Sequence, residues 1–132
     1  MRRDFDLPSF DLEFLNSTDW QWDAIRVGTA NWLLVHQFAV PSGYNHECVS
    51  VALRIEPGYP DAQIDMAYFH PPLSRIDRCH IGAADSMEMI VSKSFQRWSR
   101  HRTADNPWRP GVDDVSTHLA LVSNWLEREF RK

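Results

Sequence analysis

Two short stretches hold most of the residues able to do chemistry. Phe95-Gln96-Arg97-Trp98-Ser99-Arg100-His101 sets a serine and a histidine two positions apart among arginines, and Trp108-Arg109-Pro110-Gly111-Val112-Asp113-Asp114 follows soon after. On an extended loop Ser99 and His101 share a side, so the imidazole could take the serine proton and free the oxygen to attack an acyl carbon. Arg97 and Arg100 could stabilise the resulting oxyanion or hold a carboxylate. The window shows little helix or strand periodicity. Large aromatics beside Ser, Arg and His suggest a shaped site, with Trp98 and Trp108 as packing anchors and Arg109 as a further binding residue. The same residues admit a structural use: Ser99 capping a turn, His101 bonding a backbone carbonyl, and the arginines pairing with Asp105, Asp113 and Asp114.

A second group lies upstream. Cys79 adjoins His80 and could be a thiolate beside its base, a better nucleophile than an alcohol at neutral pH, or an incidental free thiol in a variable loop. Cys48 begins a strand and is expected to be a small buried residue. His70, Cys79 and His80 could contribute to a metal site, but their spacing matches no zinc pattern and no fourth ligand is evident. No metal and no cofactor are therefore expected. Asp65 stands among Ile64, Met66 and Tyr68, so it faces solvent or pairs with an arginine. Lys93, Arg97, Arg100, Arg102 and Arg109, interleaved with Trp98 and Trp108, form a basic stretch of the kind that grips single-stranded nucleic acid.

The overall charge of −4 argues against that use, since general nucleic-acid binders are basic. The chain has 132 residues, 43% of them apolar, with six Trp, which suits one domain with a real core at about residues 20–130. No apolar run is long enough to span a membrane, and the N-terminus lacks the apolar core of a signal peptide. Two cysteines do not make a disulfide framework; free thiols in a reducing cytoplasm are expected.

These residues need a scaffold to position them. Pro8 to Asn16 reads as a short helix capped by Ser9, with Phe10, Phe14 and Leu15 on one side. Trp22 to Val27 reads as a strand and Gly28-Thr29-Ala30-Asn31 as its turn. In Trp32 to Val40, Trp32, Leu34, His36, Phe38 and Val40 fall on one face. Pro41 to Asn45 is a turn. Cys48 to Ile55 alternates cleanly, with Val49, Val51, Leu53 and Ile55 pointing one way. Gln63 to Phe69 is a fourth strand, stopped by Pro71 and Pro72. Met87 to Val91 is a candidate short strand in a weaker region. Asp114 to Phe130 is an amphipathic helix with Val115, Leu119, Val122 and Leu126 in its stripe and His118, Leu121 and Trp125 beside it. Asp113 or Asp114 can cap it, and Arg128, Arg131 and Lys132 suit its C-terminal end. The order predicts an α+β layer: an N-terminal helix, a four-stranded antiparallel meander, an extended active-site loop and a C-terminal helix.

This order resembles a ubiquitin-conjugating enzyme domain. Gly58-Tyr59-Pro60 is similar to that family's Tyr-Pro turn, His70-Pro71 to the start of its His-Pro-Asn motif, and Trp108-Arg109-Pro110 to its Trp-x-Pro element. The resemblance is strongest to the prokaryotic family E of ubiquitin-conjugating-like proteins. It rests on Gly43-Tyr44-Asn45, on Pro57 to Met66, and on Gln96 to His101 followed by Trp108 to Asp113, and spans roughly Trp22 to Leu126. It implies Tyr59 as a binding residue and Asp65 as a partner of the Arg-rich loop. It also implies partners: a ubiquitin-like protein, an adenylating activating enzyme and a metal-dependent peptidase of the same operon.

The chain departs from the family at the nucleophile. The usual cysteine lies about eight residues before the Trp-x-Pro element. Counting back from Trp108 reaches Arg100, between Ser99 and His101, with no cysteine nearby. Pro72 replaces the Asn that supplies an oxyanion donor. Counted from His70, the cysteine is due about ten residues on, and Cys79 lies nearby. The Trp108 count is preferred, because its motif is the more specific and Cys79 is far from Trp108. The resemblance implies acyl transfer of a ubiquitin-like protein, through a Ser99 ester with His101 as base and Arg97 and Arg100 assisting, and with Cys79 as runner-up. The alternative is a non-catalytic variant that binds a ubiquitin-like protein or activating enzyme as a scaffold.

Overall fold

The computed structural model describes residues 1–131, an α+β arrangement in which two helices meet one face of a six-stranded antiparallel sheet. The elements are α1 (Ser9–Asn16), β1 (Trp22–Val27), β2 (Ala30–Ala39), β3 (Cys48–Ile55), β4 (Ala67–His70), β5 (Ser86–Ile90), β6 (Lys93–Trp98) and α2 (Val115–Arg128), which tightens into a 3-10 turn at Glu129–Arg131. The strand order is β1-β2-β3-β4-β6-β5. No helix among the described residues is long and apolar enough to cross a membrane.

The sheet exceeds the expected four strands because residues 86–98 fold back as a hairpin and add β6 to β4. Lys93–Trp98, expected as part of a loop, is therefore a strand. Its alternation is disguised because a polar residue, Gln96, takes an inward position beside Trp98. β4 is shorter than Gln63 to Phe69, since Met66 has φ 59° and pairing starts only at Ala67. The first turn is tighter than expected: Ala30 and Asn31 already pair with Val27 and Arg26.

Strand β2 does not keep one face. A bulge between Val35 and Phe38, with Gln37 at φ 59°, inserts a residue and turns Phe38 to the opposite side from Trp32 and Leu34. It also aims His36 at a hydroxyl and a carboxylate: Ser50 Oγ lies 2.8 Å from Nδ1, and Asp23 Oδ2 lies 2.9 Å from Nε2. In β3 the inward set is Val49, Val51, Leu53 and Ile55, so Cys48 points outward and is exposed rather than buried.

Pro8 rather than Ser9 is the N-cap of α1, its carbonyl accepts from Asp11 and Leu12, and no side chain caps the helix. Its buried residues are Asp11 and Leu15, while Phe10 is exposed. Both carboxyl oxygens of buried Asp11 are hydrogen-bonded. Asp11 accepts the Tyr59 hydroxyl at 2.6 Å and the Val115 amide at 3.1 Å, joining α1, the Tyr-Pro turn and the start of α2. Burial raises the Asp11 pKa from the usual carboxylate range despite these two bonds, and burial also raises that of Tyr59. Asp114 caps α2 and completes a reciprocal box with Thr117. Val115, Leu119, Val122 and Leu126 form the buried stripe with His118, Leu121 is half-buried, and Arg128 sits in the last turn. The expected cation Lys132 lies outside the described residues.

The larger core lies between the helices and the sheet and includes Trp22, Phe69, Trp98 and Leu126, with Trp20, Trp108 and Trp125 half-buried against it. A second cluster, built on Trp32, Leu34, Tyr68 and Phe95, fills the other face of the sheet.

Candidate functional site

The end of β6 is fixed by its strand partners. Ala67 faces Trp98, Tyr68 faces Arg97 and Phe69 faces Gln96. Gln96 and Trp98 therefore enter the core while Arg97 lies on the opposite face. Gln96 acts as a surrogate backbone. Its Oε1 accepts from the Leu73 amide at 2.8 Å and from the Trp98 indole at 3.0 Å, and its Nε2 donates to the Leu73 carbonyl at 3.0 Å. One amide thus pins the segment after His70-Pro71 to the strand that leads into Ser99. Trp98 is fully buried, edge-on to Phe69 at 5.5 Å.

Beyond Trp98 the chain leaves the sheet and meets the loop that holds Cys79. The Ser99 amide donates to the Ala83 carbonyl at 2.9 Å. The Arg100 guanidinium donates to the Gly82 carbonyl at 2.8 Å and to buried Glu129 at 3.0 Å, and lies 4.9 Å over the Trp98 ring. The two candidate nucleophile segments, far apart in sequence, are thus bonded neighbours in space. Cys79 is exposed, its amide held by Asp77, and His80 bonds Asp85 at 3.1 Å. Cys79, His80, Asp85 and Gln96 line part of a cleft of about 160 Å³. His70, by contrast, is held by the Ser94 carbonyl at 2.9 Å. Among the described residues no group of three or more His, Cys, Asp or Glu is placed to hold a metal ion.

His101 turns toward Asp65. Its Nδ1 lies 3.0 and 3.2 Å from the two carboxylate oxygens, and both side chains are substantially exposed. Asp65 is thus the partner of the histidine of the loop rather than of an arginine. No hydrogen bond joins the Ser99 hydroxyl to His101 among the described residues. Arg97 bonds the Ser86 hydroxyl at 3.3 Å on the other face of the sheet, apart from Arg100. Arg102 sits 5.0 Å over Trp108 and 3.6 Å from Asp113. Trp108 donates its indole N–H to the Pro60 carbonyl at 2.9 Å and meets the Tyr59 ring at 6.2 Å, so the Trp-Arg-Pro segment is docked on the Tyr-Pro turn. Arg109 is exposed, and its amide donates to Asp113 at 2.8 Å.

Of the residues named from the sequence, the structure sets Ser99, Arg100 and His101 just past Trp98, beside the Cys79 loop and Asp65, docks Trp108 on the Tyr-Pro turn, and places Arg97 on the opposite face of the sheet. Sequence reasoning missed Gln96, Glu129 and Tyr44. Tyr44 donates its hydroxyl to the Leu126 carbonyl at 2.7 Å and packs edge-on against Phe130 at 4.9 Å. The signal for Tyr44 was the Gly-Tyr-Asn turn itself. Asn45 Oδ1 accepts from Ser74 at 2.9 Å, and Gly43 has φ 112° with the Phe130 ring 2.5 Å from where a Cβ would stand.

A family model described as Prokaryotic E2 family E matches residues 7–129 of the chain. Comparison with curated proteins gives no match, and neither does comparison with solved structures.

Proposed function

Because this chain belongs to prokaryotic E2 family E, we propose that it receives the C-terminal acyl group of a ubiquitin-like protein from an activating enzyme and passes it on through Ser99. The observation that supports this most is the Asp65–His101 pair beside Ser99. A carboxylate on Nδ1 orients the ring and leaves Nε2 as the base. Ser99 Oγ attacks the activated carbonyl carbon, its proton passes to His101 Nε2, and the bond to the activating enzyme's leaving group breaks as the ester forms. A second acceptor then attacks the ester and releases Ser99. Trp108 and Tyr59 shape the surface that receives the partner, buried Trp98 supports it from the core, and Arg109 contributes an exposed cation to it. Cys79, with His80 and Asp85, is the second candidate acceptor and would form a thioester. A reducing, cytoplasmic setting suits its free thiol, and a metal-dependent peptidase is the companion expected to reverse the transfer.

The competing reading is a scaffold that binds a ubiquitin-like protein or activating enzyme without a covalent step. Arg100 favours it, because its guanidinium is already engaged by Glu129 and Gly82. One experiment separates the readings. The protein is mixed with an activating enzyme, its ubiquitin-like protein and ATP, and adducts are read by intact mass. An adduct stable to thiol, cleaved by hydroxylamine and lost in Ser99→Ala supports the ester. One cleaved by thiol and lost in Cys79→Ala reassigns the nucleophile. No adduct, with the activating enzyme shown to adenylate its partner, leaves the scaffold.

A further inference from the structure

The sheet has two edges, and they are treated differently. The β1 edge is covered by the chain's own N-terminus: Arg3 bridges Ala24, Ala24 donates to the Arg2 carbonyl at 2.9 Å, and Asp4 donates to the Ala24 carbonyl at 2.7 Å. Among the described residues no strand pairs with the outer side of β5. An uncovered edge is a template for another strand, and proteins usually blunt one with charge, proline or a bulge. β5 carries one exposed charge, Glu88, and exposes apolar residues at the alternate positions. Met87 is 48% exposed, Met89 63%, and Val91, just past the strand, 36%.

The backbone of β5 is oriented to accept a partner. Val91 and Ser92 have φ of 49° and 67° and form a two-residue turn between Ile90 and Lys93. Such a turn closes on a hydrogen-bonded pair, and bonded and non-bonded pairs alternate along the ladder. Ile90, Glu88 and Ser86 therefore direct their amides and carbonyls at β6. Met87 and Met89 direct theirs outward, so the free hydrogen-bonding groups and the exposed thioether side chains belong to the same two residues.

We propose that β5 is a self-association edge, at which two copies of the chain pair antiparallel about a two-fold axis through Met89. This register sets Met89 against Met89 and Met87 against Val91 of the second copy, joining the exposed apolar residues of both. On the other face it sets Glu88 against Ile90 of the second copy, and the strand neighbour of that Ile90 is Lys93. Each Glu88 carboxylate thus lies within reach of the other copy's Lys93 ammonium, twice across the axis. A two-fold axis through Glu88 would instead oppose the two Glu88 carboxylates. Apolar match, charge match and outward backbone groups select the same register. The contact is isologous and closed, which stops the edge from propagating into a fibre. Its small size implies a weak, reversible dimer.

Sedimentation velocity of the full chain from about 1 µM to about 500 µM tests this. The parent is expected to move from monomer toward twice the monomer mass, and Met89→Lys to stay monomeric with an unchanged circular-dichroism spectrum. Glu88→Lys and Lys93→Glu should each weaken association by about tenfold, and mixing those two variants should restore it, because the mixed pair opposes unlike charges at both contacts. A parent that stays monomeric throughout overturns the proposal. So does a dimer indifferent to Met89→Lys, or charge variants that fail to rescue each other.

Discussion

Both carboxylate oxygens of Asp65 lie within hydrogen-bonding distance of His101 Nδ1, at 3.0 and 3.2 Å. The pair is exposed, so its worth to folding is small, about 0.5 kcal/mol or less. Its worth to ring orientation is a separate matter. Asp65→Asn should leave the unfolding midpoint in place while slowing adduct formation by about tenfold or more and changing its pH profile. A scaffold would show neither kinetic change.

Gln96 satisfies three groups with one side chain: the Leu73 amide and carbonyl and the Trp98 indole. Gln96→Leu keeps the volume and orphans all three at a buried position. Urea unfolding should report a loss of about 2–4 kcal/mol. The Trp98 fluorescence of the folded state should shift as well, because the indole N–H loses its acceptor.

His118 is buried, donates from Nε2 to the Met66 carbonyl at 2.9 Å and leaves Nδ1 without a partner among the described residues. Burial, helped by the nearby Arg102 charge, lowers its pKa from 6.5 to about 4. The unfolded chain therefore takes up this proton at a higher pH than the folded chain does. Stability is full above pH 6.5 and falls as the pH drops toward 4, by about 3 kcal/mol in all. His118→Gln keeps a donor for Met66 and has no proton to gain. Its stability relative to the parent should improve across that window and hold constant above it.

Gly43 combines φ 112° with a Phe130 ring that leaves no space for a Cβ. Gly43→Ala should cost about 1–3 kcal/mol and move Phe130 off Tyr44. Loss of the Tyr44–Phe130 contact in side-chain nuclear Overhauser spectra is the direct check.

What the sequence revealed follows from how each signal arises. Cys48–Ile55 and Val115–Arg128 were legible because alternate or helical apolar spacing met a core on one side only. β6 was not, because Gln96 is polar yet inward, satisfied by Leu73, a residue that pattern reading cannot link to it. The break in β2 was equally hidden, since a bulge at His36 and Gln37 leaves the apolar composition unchanged while moving Phe38 to the other side. At the site, Ser99, His101 and Asp65 were named from residue type and motif. The Asp65–His101 pairing was not, because which side of the loop meets Asp65 depends on where β6 ends against β4.

The pairing of Trp98 with Ala67 fixes where Ser99 stands, independently of the two counts along the chain. Chain distance from His70 to Ser99 measures contour length, which changes whenever the intervening β5–β6 hairpin grows or shrinks, whereas the count back from Trp108 does not cross that hairpin. The ladder measures position instead. A hairpin rooted on β4 can change its loop without displacing Ser99, so position in space and residue count become independent coordinates. The counterpart of Ser99 is best located by which residue follows the strand bonded to β4, whatever its number in the sequence.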